Sequence, residues 1–82
     1  MDLVKLTETI IKEIVSDKDS VSVKEFESED EGTILIQVMI GSDDMGKVIG
    51  KDGKVIGAIR TLVQAASYIN ENKKVTINVD SY

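Results

Sequence analysis

The chain has 82 residues, 41% of them hydrophobic and 30% charged, with a formal net charge of −5. Such a length supports one domain with a modest core, in the composition of a globular chain. It contains no cysteine and no histidine, which excludes disulfides, thiolate or imidazole metal ligands, and nucleophile–base pairs built on either residue.

Leu3, Leu6, Ile10 and Ile14, with Val4, Ile11 and Val15, recur at helical spacing, so residues 2–16 are predicted to form an amphipathic helix. The segment SDKDS (16–20) ends it. Val21 and Val23 alternate with polar neighbours before the pattern slips by one to Phe26, which predicts a strand with an irregular end. The acidic stretch ESEDEG (27–32) reads as a solvated loop or hairpin tip. Ile34, Ile36, Val38 and Ile40 then alternate with Leu35, Gln37 and Met39, the pattern of a strand with one buried face. Gly41 breaks that strand. Ser42 is the predicted N-cap of a short helix reaching about Ile49, with Asp43 and Asp44 at its positive end. After Gly53, Val55, Ile56, Ile59, Leu62, Val63, Ala66 and Ile69 form one broad helical stripe. NENKK (70–74) closes it, and Val75, Ile77 and Val79 mark a third strand.

The order is α-β-β-α-α-β. A helical crossover lets the second and third strands lie parallel and adjacent, while the first pairs antiparallel with the second. The expected fold class is α+β: two layers, a three-stranded mixed sheet with helices packed on one face.

Residues 46–57 read GKVIGKDGKVIG, with four glycines in twelve positions. Each costs roughly 0.5–1 kcal/mol of backbone entropy against alanine in an ordered element, so the cluster is either a turn or a place of close backbone approach. Charge adds to the second reading. Residues 1–45 carry four lysines against twelve acids, whereas residues 46–74 carry Lys47, Lys51, Lys54, Arg60, Lys73 and Lys74 against Asp52 and Glu71. A basic segment inside an acidic chain fits local anion binding, and equally a solvated helix face. Gly50 and Gly53 bracket a two-residue reversal between helices and leave no side chain to hold a ligand away. The N–H groups of Asp52, Gly53 and Lys54 are expected to lie open at a helix start, where they suit a phosphate. Lys47, Lys51 and Lys54 add charge nearby, and Val48, Ile49, Val55 and Ile56 add apolar surface for flat bases. Gly46 and Gly57 are read as sites of close helix packing, and Asp52 as the N-cap of the second helix. A Walker loop is excluded by glycine spacing and a dinucleotide fingerprint by the lack of a strand directly before the motif.

VIGKDGKVIGAI (48–59), an apolar pair, GxxG and a spaced apolar pair, resembles the signature of the K homology (KH) domain, and the element order resembles its type II form. The run DMGKVIGKDGKVIGAIRTLVQAAS (44–67) is similar to the small bacterial KhpA family, single KH domains of this length. The resemblance implies one KH domain over 1–82, with its motif core at 32–80 and its GxxG loop at 50–53. It further implies that Gly50, Lys51, Asp52 and Gly53 clamp the backbone of about four single-stranded RNA nucleotides while bases meet Ile49 and Ile56 in an apolar groove. Val75 or Ile77 on the third strand would line the far wall of that groove, but their alternation equally fits core burial, which is the favoured reading. The family likeness also implies a homodimer, a larger KH-containing partner of the KhpB/Jag type, RNA-chaperone or post-transcriptional regulatory activity, and a link to cell-wall synthesis, elongation and division.

The alternative is a KH-fold dimerisation or protein-interaction module with incidental RNA binding, its contact supplied by Leu35 and Met39 on the outer sheet face or by apolar residues near the loop. No acid–base pair stands out; Glu8 and Glu13 look like a solvated helix face, so no enzyme, metal or cofactor is expected. No run approaches the roughly 18 apolar residues of a membrane span, and Met1–Lys12 lacks a signal-peptide layout. A cytoplasmic chain with no membrane partner is therefore expected.

Overall fold

A computed structural model describes residues 2–82. The first helix, α1 (Leu3–Ile14), starts where the Asp2 carboxylate accepts the Lys5 N–H at 3.1 Å, satisfying one of the open donors of a helix start. At its other end the Lys18 ammonium donates to the carbonyls of Lys12 and Val15, and the Val15 N–H closes onto the Ile11 carbonyl. Leu3, Thr7 and Ile11 form its buried stripe. Thr7 is tolerated there because its hydroxyl donates to the Leu3 carbonyl at 2.8 Å.

Strands β1 (Ser22–Glu27) and β2 (Thr33–Ile40) form an antiparallel hairpin, and β3 (Lys74–Ser81) runs parallel to β2 on its other side. The ladder from Ser22↔Met39 to Glu27↔Ile34 is continuous, so β1 has no irregular end. Phe26 breaks the apolar alternation because it stands on the outer face, opposite Leu35, and is 52% exposed. Along β2 the alternation is regular: Ile34, Ile36, Val38 and Ile40 are buried and their neighbours are half-buried. Loss of one such side chain, as in Ile36→Ala, costs about 2–5 kcal/mol.

Between β2 and β3 lie a 3-10 turn (Ser42–Asp44), the short helix α2 (Met45–Ile49), a second 3-10 turn (Lys51–Gly53) and the long helix α3 (Lys54–Asn70). Helices and sheet enclose one core on the inner face, to which Val23, Ile36, Val38, Ile40, Val48, Ile56, Ile59, Val63 and Ile77 belong. Two expectations on α3 are corrected. Leu62 and Ile69 are 53% and 83% exposed: the buried stripe is narrower than the apolar one and follows Ile56, Ile59, Val63 and Ser67. Gly46 and Gly57 do not mark close packing either, since nothing lies within 4 Å of a Cβ built at either. Asn72, with φ 54, closes α3 as its N–H reaches the Ser67 carbonyl, a left-handed cap that asparagine tolerates. Among the described residues no helix is long and apolar enough to cross a membrane.

Candidate nucleic-acid interface

The reversal between α2 and α3 is built from three unusual backbone conformations within four residues. Gly50 sits at φ 77, ψ 173, a region open almost only to glycine. A Cβ there would lie 2.8 Å from Val55 Cβ and 2.9 Å from the Val55 nitrogen, so space and backbone angle exclude other residues independently. Asp52 (φ 56, ψ 25) and Gly53 (φ 73, ψ 15) follow in the left-handed region. Gly53 has open space around its missing side chain; only its backbone angle asks for glycine.

This geometry corrects two details of the loop. Asp52 is not an N-cap: the cap position of α3 is Gly53, and no side chain accepts a first-turn N–H. Aspartate suits position 52 because its short polar side chain tolerates positive φ better than most residues. Of the three donors expected to be open, Gly53 N–H bonds to the Gly50 carbonyl and Lys54 N–H to the Lys51 carbonyl. The Asp52 N–H is left without a loop or side-chain acceptor among the described residues, beside an α3 first turn that no side chain caps.

The three lysines separate. Lys51 and Lys54 are exposed and make no ion pair among the described residues. Lys47 is engaged elsewhere: its ammonium stands 3.6 Å from Asp44 and donates to the Ser16 hydroxyl. Asp44 is itself a correction. It does not serve as an exposed helix-start charge, and Ser42 makes no capping bond. Asp44 is 3% exposed and accepts the Ser16 and Asp17 N–H groups at 3.0 and 3.1 Å, tying the end of α1 to the start of α2. Those backbone donors, helped by Lys47, hold its carboxyl below the usual value of 3.8 against the opposing effect of burial. The apolar candidates separate too. Ile49 is half-buried at the rim, whereas Ile56, 4% exposed, belongs to the core and offers a base almost no surface. Val55, packed under Gly50 and half-buried, is the apolar residue beside Ile49 at the surface. Ile77 is buried and Val75 half-buried, in line with their core assignment.

Sequence reasoning set a far-wall role for Val75 or Ile77 beside core burial and favoured burial; what it missed is how α3 covers the β3 edge. The α2 segment leaves the sheet at the Ile40 end of β2, and β3 is parallel to β2, so the C-terminal half of β3 and the glycine turn lie at the same end of the sheet. β3 is an edge strand. Its odd-numbered residues turn their backbone groups away from β2, as their side-chain partners show. Gln64 accepts the Val75 N–H at 2.8 Å and donates to the Lys73 carbonyl at 3.0 Å. Arg60 donates to the Ile77 carbonyl from two nitrogens at 3.4 and 3.1 Å. Beyond them the outward groups of Val79 have no side-chain or loop partner among the described residues. One flank of α3 thus covers the first half of the edge and leaves the half nearer the turn open. The i, i+4 spacing of Arg60 and Gln64 was the available signal, but it acquires meaning only once β3 is known to be an edge.

The family model described as KhpA/KhpB, KH domain, matches residues 4–79. The RNA-binding protein KhpA of Clostridium perfringens is 43% identical over 75 residues, which cover 92% of this chain and 96% of that protein. The RNA-binding protein KhpA of Clostridium acetobutylicum is 41% identical with the same coverage, and that of Thermotoga maritima 35% identical over 92% of this chain and 95% of its own. Among solved structures, Era in complex with MgGDPNP and a 16S ribosomal RNA segment superposes with a TM-score of 0.61 at 16% identity, covering 99% of this chain and 31% of Era. That likeness establishes a shared fold.

Proposed function

The chain belongs to the KhpA/KhpB family of KH domains, and from that premise we propose that it binds single-stranded RNA with little sequence preference. The observation that carries the reading is the Gly50–Gly53 turn, which exposes Lys51 and the Asp52 N–H at the open end of the β3 edge. In this reading the sugar–phosphate backbone passes over Gly50, Lys51, Asp52 and Gly53, with Lys54 adding charge. Bases rest on Ile49 and Val55 and present their edges to the free backbone groups near Val79. Arg60, anchored on the Ile77 carbonyl, borders the same groove. The role is binding rather than catalysis, in the cytoplasm.

Few cations serve the site, so one copy binds modestly, and pairing two copies on one RNA raises the apparent affinity by avidity. The α3 face carrying Ala58, Leu62 and Ile69, exposed and spaced at four and seven residues, suits a homodimer or a heterodimer with a KhpB/Jag-like protein. In that setting the protein acts as an RNA chaperone or post-transcriptional regulator linked to cell-wall synthesis, elongation and division.

Lys51→Asp, which places two acids side by side in the turn, is expected to abolish RNA crosslinking while the far-ultraviolet dichroism and thermal midpoint stay as in the parent. Unchanged crosslinking would overturn the assignment of the turn. The exposed Leu62 and Ile69 favour a second reading, a dimerisation module with incidental RNA binding. Leu62→Glu decides between them: a monomer by sedimentation that still crosslinks RNA, yet loses its cellular role, supports the second.

A further inference from the structure

The groove does not end at Arg60. Along the same flank of α3, Arg60, Thr61, Gln64, Ala65 and Tyr68 face Val75 of β3 across a shallow cavity of about 440 Å³. The Tyr68 ring is 55% exposed and stands two helical turns beyond Arg60, away from the glycine turn. Gln64 is committed to the backbone of Lys73 and Val75, so it shapes the cavity floor and is not free to read a ligand. Arg60 uses two nitrogens on Ile77; a guanidinium has five N–H donors, and the remainder are available to the groove.

We propose that this cavity is a second base-binding subsite, in which a nucleotide following those held at the glycine turn stacks on Tyr68, with the Arg60 guanidinium about 12 Å nearer the turn on the same path. An aromatic face on an apolar floor of Ala65 and Val75, with a cation farther along the backbone path, is the chemistry that holds single-stranded bases without regard to sequence. The position is continuous with the first site. From Gly53 to Tyr68 the flank runs about 22 Å, enough for roughly six nucleotides at the stacked spacing of about 3.4 Å, against about four at a KH turn. The path has a natural end. The acidic hairpin containing Glu27, Glu29, Asp30 and Glu31 joins β1 and β2 at the end of the sheet away from the glycine turn; past Lys73, which lines the same hollow as these acids, further phosphates would be repelled.

This subsite rests on the RNA-binding reading, and its test separates the two. Affinities for an oligouridylate of about four nucleotides and one of about eight are measured for the parent chain, Tyr68→Leu and Tyr68→Phe. The subsite requires that the longer strand bind the parent more tightly. Tyr68→Leu should lose about tenfold on the longer strand and nothing on the shorter, and Tyr68→Phe should restore the loss. The shorter strand also serves as the folding control for each variant. Equal affinity of the parent for both lengths, or a Tyr68→Leu chain that keeps the full gain from length, overturns the subsite and leaves the glycine-turn site standing. A parent chain that binds neither strand overturns the RNA reading and the subsite with it.

Discussion

At the residue scale the two glycines of the turn make different demands, although GxxG treats them alike. Gly50→Ala meets both a forbidden backbone region and Val55, so it should lower the unfolding free energy by about 2 kcal/mol or more and displace the start of α3. Gly53→Ala meets only the left-handed penalty, roughly 1–2 kcal/mol, and Gly53→Asn should recover part of it; chemical denaturation of the three variants checks the order. Asp52 shows how a correct residue can be read for the wrong reason. An acid before a helix looks like a cap, and only the φ of 56 shows that conformational tolerance puts it there. Asp52→Asn keeps that tolerance and removes a charge facing phosphate, so RNA affinity should rise about two- to fivefold with stability unchanged, while Asp52→Val should cost about 1–2 kcal/mol. Asp44 was equally illegible: its backbone partners Ser16 and Asp17 are distant in sequence. Its carboxyl titrates lower in the folded chain than the ordinary 3.8. The stability it confers is therefore complete above that value and disappears as pH falls through the lower, folded value. Urea midpoints of the parent should drop along that acid limb, and Asp44→Asn should be less stable at neutral pH with a flatter acid limb.

At the scale of elements, the order of helices and strands and the mixed pairing were legible because period-2 and period-3.6 patterns alternate cleanly along the chain. What sequence could not supply was which part of an apolar stripe is covered. Seven residues of α3 share one broad stripe, yet Leu62 and Ile69 stay exposed, because the sheet and α1 can cover only one side of a cylinder. Nor does a pattern say that a strand is an edge. The clamp from α3 to β3 is such a feature, and it makes the groove a property of two elements rather than of the glycine motif alone. Gln64→Leu keeps the bulk but releases the Val75 N–H, while the Lys73 carbonyl keeps the Ser67 hydroxyl, at a cost of about 1–3 kcal/mol. Amide exchange should then speed up first at Val75, while Lys51 remains as exposed as before.

At the scale of the molecule, the densest acidic cluster and the glycine turn lie at opposite ends of the sheet. The glycine turn with Lys51 and Lys54 follows the C-terminal end of β2, and the acidic hairpin, with Lys73 and Lys74 at the neighbouring start of β3, lies at its N-terminal end. The eight residues of β2 between them, about 26 Å at the strand rise, exceed the Debye length of about 8 Å at physiological salt, so the hairpin scarcely weakens a bound RNA at the turn. It matters for arrival and for register. At low salt, where the Debye length grows to about 30 Å, the acids repel an approaching polyanion from one end and leave the other as the port of entry. Neutralising them together (Glu29→Gln, Asp30→Asn, Glu31→Gln) should raise the association rate at low ionic strength and change little at physiological salt. The dissociation rate should stay constant throughout. If Lys51, Lys54 and Arg60 are the cations that meet phosphate, log affinity should fall against log salt with a slope of about −2 for the parent, shallower by about 0.7 in Lys51→Gln. The hairpin variant should keep the parent slope, because it alters the approach and not the contacts. A slope that changed with the hairpin would place phosphate contacts at the hairpin itself, beyond the Tyr68 end of the groove.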